Sequence, residues 1–230
     1  MNIVEYAKMR KMFGGGGGSG GGDIDALIDG SLTEITSNAE SVRRGAFYYA
    51  DKLETITLPS AKSIDVQAFN NCSNLITVNI PLATSIGSNS FGDCVKLTEV
   101  KAPLVTSISA NVFYNCKVLK TADFSSVTRI DNYVFYQCYS LTALILRSET
   151  MCTLANTLAF NGCYHFQGTA NVIYNPDGLK DGYIYVPRAL IEDYKVATNW
   201  VTFADQFRAL EDYTVDGTTT GELDESKVSL

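Results

Sequence analysis

Phenylalanine recurs at Phe47, Phe69, Phe91, Phe113 and Phe135, a step of 22 residues each time. Other columns keep the same register. Three residues after each Phe stand Ala50, Cys72, Cys94, Cys116 and Cys138, and six after stand Leu53, Leu75, Leu97, Leu119 and Leu141. Five residues before each Phe stand Val42, Ile64, Ile86, Ile108 and Ile130. A fixed period of this length is the mark of stacked supersecondary units, none of which can bury its apolar side alone.

Within each unit lies a short alternating stretch, LETITLP at 53–59, LITVNIP at 75–81 and LTEVKAP at 97–103. Alternation of period two predicts a half-buried strand, with Leu53, Ile56 and Leu58 facing inward. Pro59, Pro81 and Pro103 close the first three strands, as suits a residue with no N–H to continue a ladder. Stacking one unit on the next at about 4.7–4.9 Å builds a parallel sheet. It also places each Phe on the Phe above and below, a spine opposite that sheet.

The pattern F-x-x-C-x-x-L-x-x-I-x-L-P, with Ile five residues before the Phe, resembles the BspA-type leucine-rich repeats. AFNNCSNLITVNIP at 68–81 and SFGDCVKLTEVKAP at 90–103 carry it, and AFYYADKLETITLP at 46–59 matches except for Ala50 in place of Cys. Later units drift: Ser125 and Arg147 replace the Pro, and Phe160 follows Phe135 after 25 residues. The resemblance implies an α/β-type solenoid of leucine-rich repeats, with a parallel sheet on one face and irregular or short helical segments opposite. It also implies that the ladder cysteines face the interior.

The expected organisation is a short amphipathic segment at 1–13, a polyglycine tether at 14–22 and a cap with a truncated first repeat at 23–45. Repeats fill 46–163, and a loop, last strand and helical cap fill 164–212. In the first cap SLTEITS supplies a strand with Leu32 and Ile35 inward; in the last, IYVP at 184–187 matches ITLP at 56–59. RALIEDYKVA and VTFADQFRAL follow with helical spacing, and Trp200 reads as a cap anchor. The polar residues 213–230 read as a flexible tail.

Catalysis finds little support in these residues. Cys152, Cys163 and the single histidine, His165, invite a zinc or Cys–His reading. A closed zinc site, however, wants four ligands in CxxC-type pairs, and Cys163 is the ladder Cys after Phe160. A buried thiol is a small inert hydrophobe; Cys152, off the ladder, is the one expected to react. The polyglycine follows no strand and precedes no Lys-Ser/Thr, so it is not a phosphate loop. No catalytic residue, metal ligand or cofactor is assigned.

Binding is left to the surface. The outward sheet columns hold Thr55, Thr77, Glu99, Thr121 and Ala143, then Thr57, Asn79, Lys101, Asp123 and Ile145. These are either a solvated face of good β-formers or a flat surface for a protein or glycan. Before each Leu gather Tyr48, Tyr49, Tyr114, Tyr136 and Tyr139, which either cover the spine or make rigid contacts at low entropy cost. Ile3, Val4, Tyr6, Met12 and Phe13 could dock on a partner as an amphipathic helix.

The net charge of −7 argues against a nucleic-acid partner, whose binders carry a basic face. No apolar run approaches the ~20 residues of a membrane helix. The first residues lack the apolar core of about 7–15 residues found in a secretory signal. The order of short lead, polyglycine and repeat domain resembles proteins of phage and prophage structural clusters. The expectation is a non-enzymatic interaction module, made in the bacterial cytoplasm and incorporated in a phage particle, with the cytoplasm itself as the alternative site. Its partners would be a host-surface protein or glycan and, through residues 1–13, other particle proteins. A bacterial surface adhesin and a decoration protein without ligand are the competing readings.

Overall fold

The structure is a computed structural model that describes residues 32–169, 171 and 173–228. The expected N-terminal segment, the tether and the start of the first cap lie outside the described residues. Each coil up to Leu154 contributes one strand of three or four residues and one of two.

The longer strands are β1 (Glu34–Thr36), β3 (Thr55–Thr57), β5 (Thr77–Asn79), β7 (Glu99–Lys101), β9 (Thr121–Phe124), β11 (Ala143–Leu146), β13 (Tyr183–Val186) and β14 (Phe207–Ala209). All their pairings are parallel, and within the repeats the register equals the period: Thr55 faces Thr77, and Glu99 faces Thr121. The ladder runs β1-β3-β5 and then β7-β9-β11-β13-β14. Between the two groups, β5 and β7 still lie side by side, but the bond from Thr98 N to the Ile76 carbonyl stretches to 3.5 Å.

The face opposite carries more order than the spacing revealed. Strands β2 (Ser41–Val42), β4 (Ser63–Ile64), β6 (Ser85–Ile86), β8 (Ser107–Ile108), β10 (Arg129–Ile130) and β12 (Thr153–Leu154) form a second, six-stranded parallel sheet. The Val/Ile column before each Phe is the inward residue of these strands and is buried throughout. Runs of two residues are too short for alternation to register as a strand signal.

Tight turns close the third side, and there the chain takes positive φ twice per coil. One column is Gly45, Gln67, Asn89, Asn111 and Tyr133; the other is Tyr49, Asn71, Asp93, Asn115 and Gln137. Asn and Asp tolerate this region because their short side chains bond locally. The turns keep the coil-to-coil ladder intact, with Phe47 N donating to the Ala68 carbonyl at 2.8 Å and Phe91 N to the Val112 carbonyl at 3.0 Å.

Inside, the phenylalanines stack as the period predicts. Successive centroids from Phe47 to Phe160 lie 5.0, 5.4, 5.8, 5.8 and 5.6 Å apart. Each ladder thiol donates to the carbonyl of the Phe one coil earlier: Cys72 to Phe47 at 3.1 Å, Cys94 to Phe69 at 3.3 Å, Cys116 to Phe91 at 3.2 Å. Cysteine suits the column because it is small, apolar and still a weak donor.

The C-terminal cap is tied down by polar bonds in an apolar setting. Helices α1 (Tyr164–Gln167) and α2 (Ile191–Val196) flank β13. The expected helix over VTFADQFRAL is a 3-10 segment at Trp200–Gln206, and Phe207–Ala209 is then strand β14, so β14 rather than β13 ends the sheet. Trp200, buried, donates from Nε1 to the Cys152 carbonyl, and the Tyr194 hydroxyl accepts from Cys152 N, each at 2.6 Å. Trp200 is thereby the cap anchor its sequence position suggested.

Candidate ligand-binding surfaces

The outward face of the longer strands is open over only half its length. Glu34, Thr36, Thr77, Asn79, Glu99 and Lys101 are exposed, and Thr55, Thr57 and Thr121 half-buried. Asp123, expected beside them as a surface contact, is instead buried at 5% exposure. Its carboxylate accepts from Arg147 Nε at 2.8 Å and Nη2 at 2.9 Å. Arg147 stands where earlier coils have Pro, and its Nη1 donates to the carbonyls of Thr219 and Gly221, both at 2.9 Å.

This fork explains a second difference. Residues 213–224, expected to fray, lie across the sheet. Thr214 bridges Leu223 in antiparallel sense, and Tyr213 and Leu223 pack on the buried cluster of Ala143, Ile145, Tyr185 and Leu210. Arg208 caps the cluster from the side, 4.0 Å above the Tyr183 ring. Ala143 and Ile145 break the polar pattern of the outward columns, and burying such a patch is what draws the tail down. The flat face available to a partner therefore ends near Thr121.

The tyrosines divide into two groups. Tyr48 and Tyr49 meet edge to face at 4.5 Å. Far along the same corner, Tyr114 stacks on Tyr136 at 5.2 Å, and Tyr133 meets Tyr136 edge-on at 5.7 Å. Tyr139 continues the surface, stacked on Tyr164 at 4.9 Å and tilted against Tyr174 at 4.9 Å. Burial, then the neighbouring phenols, holds the Tyr139 hydroxyl above its ordinary pKa. Tyr164 and Tyr174 were missed in the sequence because they fall outside the 22-residue register; only the fold brings them to this corner.

A groove that the sequence reading also missed lies on the outer face of the shorter strands. It encloses about 390 Å³ between Ser41, Ser63, Ser85 and Ser109, with Arg43 and Asp65 at its sides. The serine column at 41, 63 and 85 was visible as a repeat. Nothing in the pattern marked those residues as a strand face.

All six thiols are buried. Cys152, expected to be reactive, is fully buried, and burial pushes its thiol up to about 12. Burial raises the five ladder thiols further still. A thiol held protonated is a poor nucleophile. His165 Nδ1 pairs with Asp181 Oδ1 at 2.6 Å. Among the described residues no group of three His, Cys, Asp or Glu side chains is placed to hold a metal ion, and no helix is long and apolar enough to cross a membrane.

Residues 62–169 match, in 6 copies, the family described as BspA type Leucine rich repeat region. The stacked coils and thiol ladder above make the fold a repeat solenoid of parallel strands, and this segment is similar to that family. No curated protein matches the chain. Solved structures similar to it include a leucine rich cell surface protein from Faecalibacterium prausnitzii A2-165, at 29% identity over 68% of this chain and a TM-score of 0.47. A leucine rich repeat protein of T. pallidum aligns at 22% identity over 65% of this chain and 74% of its own, with a TM-score of 0.41. The chain spans 37% of the length of the first of these proteins.

Proposed function

We propose that this chain is a non-enzymatic interaction module that holds a protein or glycan ligand at a cell surface, and that it does so as part of a phage or prophage particle. The observation that carries the binding reading is the asymmetry of the solenoid's outer surface. Its C-terminal half is sealed by the tail through Asp123, Arg147 and Leu223. The exposed residues from Thr77 to Lys101 and the tyrosine corner from Tyr114 to Tyr174 stay accessible. Burial that holds the thiols protonated argues against a cysteine nucleophile.

Support for the particle comes from the sequence order alone: an apolar lead with Ile3, Val4, Tyr6, Met12 and Phe13, then glycine. A Gly-rich tether of this kind reaches on the order of 15–18 Å. The fluorescently labelled full chain should bind intact bacterial cells saturably, and replacing Asn79, Glu99 and Lys101 together, or Tyr114 and Tyr139 together, by Ala should weaken it. Absence of binding to every host tested, with the fold intact, would return the module to a decoration role. Removing residues 1–22 should abolish incorporation into particles; unchanged particle content would refute the particle assignment and leave the binding reading standing.

A further inference from the structure

The residue after each Phe forms a column at the turn corner: Tyr48, Asn70, Gly92, Tyr114, Tyr136 and Asn161. Backbone bonds set these positions side by side, Asn71 N donating to the Gly92 carbonyl at 2.8 Å and Asp93 N to the Tyr114 carbonyl at 2.7 Å. Tyr114 and Tyr136, one coil apart, have planes within 1° at 5.2 Å. Their faces therefore look along the solenoid axis, and most of a stacked ladder shows solvent only ring edges and hydroxyls. A ring face is left to a ligand only at the ladder's end.

That end is Tyr114, and the next position along the column is glycine. Gly92 puts no side chain against the second face of the ring. Asn70, buried, donates from Nδ2 to the Gly92 carbonyl at 3.0 Å. A Cβ at 92 would lie 2.6 Å from that nitrogen, so the Asn70 amide takes the space a side chain at 92 would fill. Beside it runs a row of hydrogen-bonding side chains, Asn71, Asp93, Asn115 and Gln137, all at positive φ between 58° and 62°. Asp93 Oδ1 accepts from Asn115 Nδ2 at 2.7 Å, which leaves Oδ2 for a ligand.

We infer that the notch at Gly92 is a saccharide subsite, which seats the C–H face of a neutral pyranose on Tyr114 while Asp93 accepts from its hydroxyls. The inference rests on the binding reading above. A pyranose combines a flat apolar face with hydroxyl donors around its rim, and a carboxylate is an acceptor that needs such donors. The row of amides flanking Asp93 repeats at the coil spacing of about 4.8 Å, which suits a polyhydroxylated chain better than a single cation. The net charge of −7 disfavours acidic sugars.

Saturation-transfer NMR on the full chain tests this with methyl β-glucopyranoside, methyl β-galactopyranoside, N-acetylglucosamine and, as a cationic control, arginine amide. At least one pyranoside should receive saturation at its ring C–H protons. Tyr114→Phe should keep the signal, and Tyr114→Ala should weaken affinity about tenfold, or roughly 1.4 kcal/mol. Asp93→Asn, which tolerates positive φ, should weaken it as well. Circular dichroism confirms the fold of each variant. Silence from all three sugars, an unchanged Tyr114→Ala, or a response to arginine amide alone overturns the inference. If the chain still binds cells in any of those cases, the saccharide subsite fails and the interaction module survives.

Discussion

Phe91 has a ring on either side, Phe69 at 5.4 Å and Phe113 at 5.8 Å, and no solvent exposure. Its neighbours are held by backbone bonds to the coils above and below, so they cannot collapse into the space it would leave. Phe91→Ala should therefore lower stability by about 3–5 kcal/mol, the range for a truncated buried aromatic. Urea unfolding followed by circular dichroism reads it directly, and a midpoint like that of the parent would dismiss the stacked spine as a source of stability. This position was legible because one residue type recurs at one interval. Cys152 was not, because its burial comes from Tyr194 and Trp200, more than forty residues away in the chain. The notch at Gly92 was equally hidden: a glycine in a polar turn column signals nothing until Tyr114 is seen stacked beside it.

At the scale of elements, one buried fork ties the tail to the sheet beside the apolar contacts of Tyr213 and Leu223. Arg147 and Asp123 expose only 7% of their side chains each, and Arg147 also binds two tail carbonyls. Removing one partner of a buried pair strands the other charge, which costs about 3–5 kcal/mol, whereas replacing both with apolar residues of similar size is close to neutral. Asp123→Ala should thus destabilise the chain by about that amount and raise hydrogen exchange over residues 213–224. The double change Asp123→Leu with Arg147→Met should recover most of the loss in denaturant unfolding. Equal loss in the two variants would mean that packing, not charge pairing, holds the tail. In the sequence Arg147 was visible as a departure from the Pro column. Its partners were not, since Asp123 lies one coil earlier and Thr219 and Gly221 lie far along the chain.

Across the whole molecule, the thiol ladder couples stability to alkaline pH. Burial raises all six thiols in the folded state above their ordinary value of 9.0. The unfolded chain therefore loses thiol protons first. Their stabilising contribution is complete below about pH 9 and is lost as pH climbs toward the folded values, with Cys152 reaching about 12. Each thiol contributes a slope of about 1.4 kcal/mol per pH unit in that window. Denaturant titrations between neutral pH and pH 10.5 should show a steep fall above 9, shallower in Cys94→Ala with Cys116→Ala. An identical slope in that double variant would assign the fall to tyrosines or lysines instead.

The amino-acid sequence by itself determined the period, the parallel stacking and the Phe spine. Each of these follows from one residue type repeated at one interval, and neighbours in the stack are copies of the same unit. Tertiary structure alone decided where that regularity ends: the second sheet, the strand at Phe207–Ala209, the tail laid over Ile145, and the corner where Tyr164 and Tyr174 join Tyr139. Those features pair residues from dissimilar segments, and no spacing in a linear chain encodes a contact between segments that do not repeat.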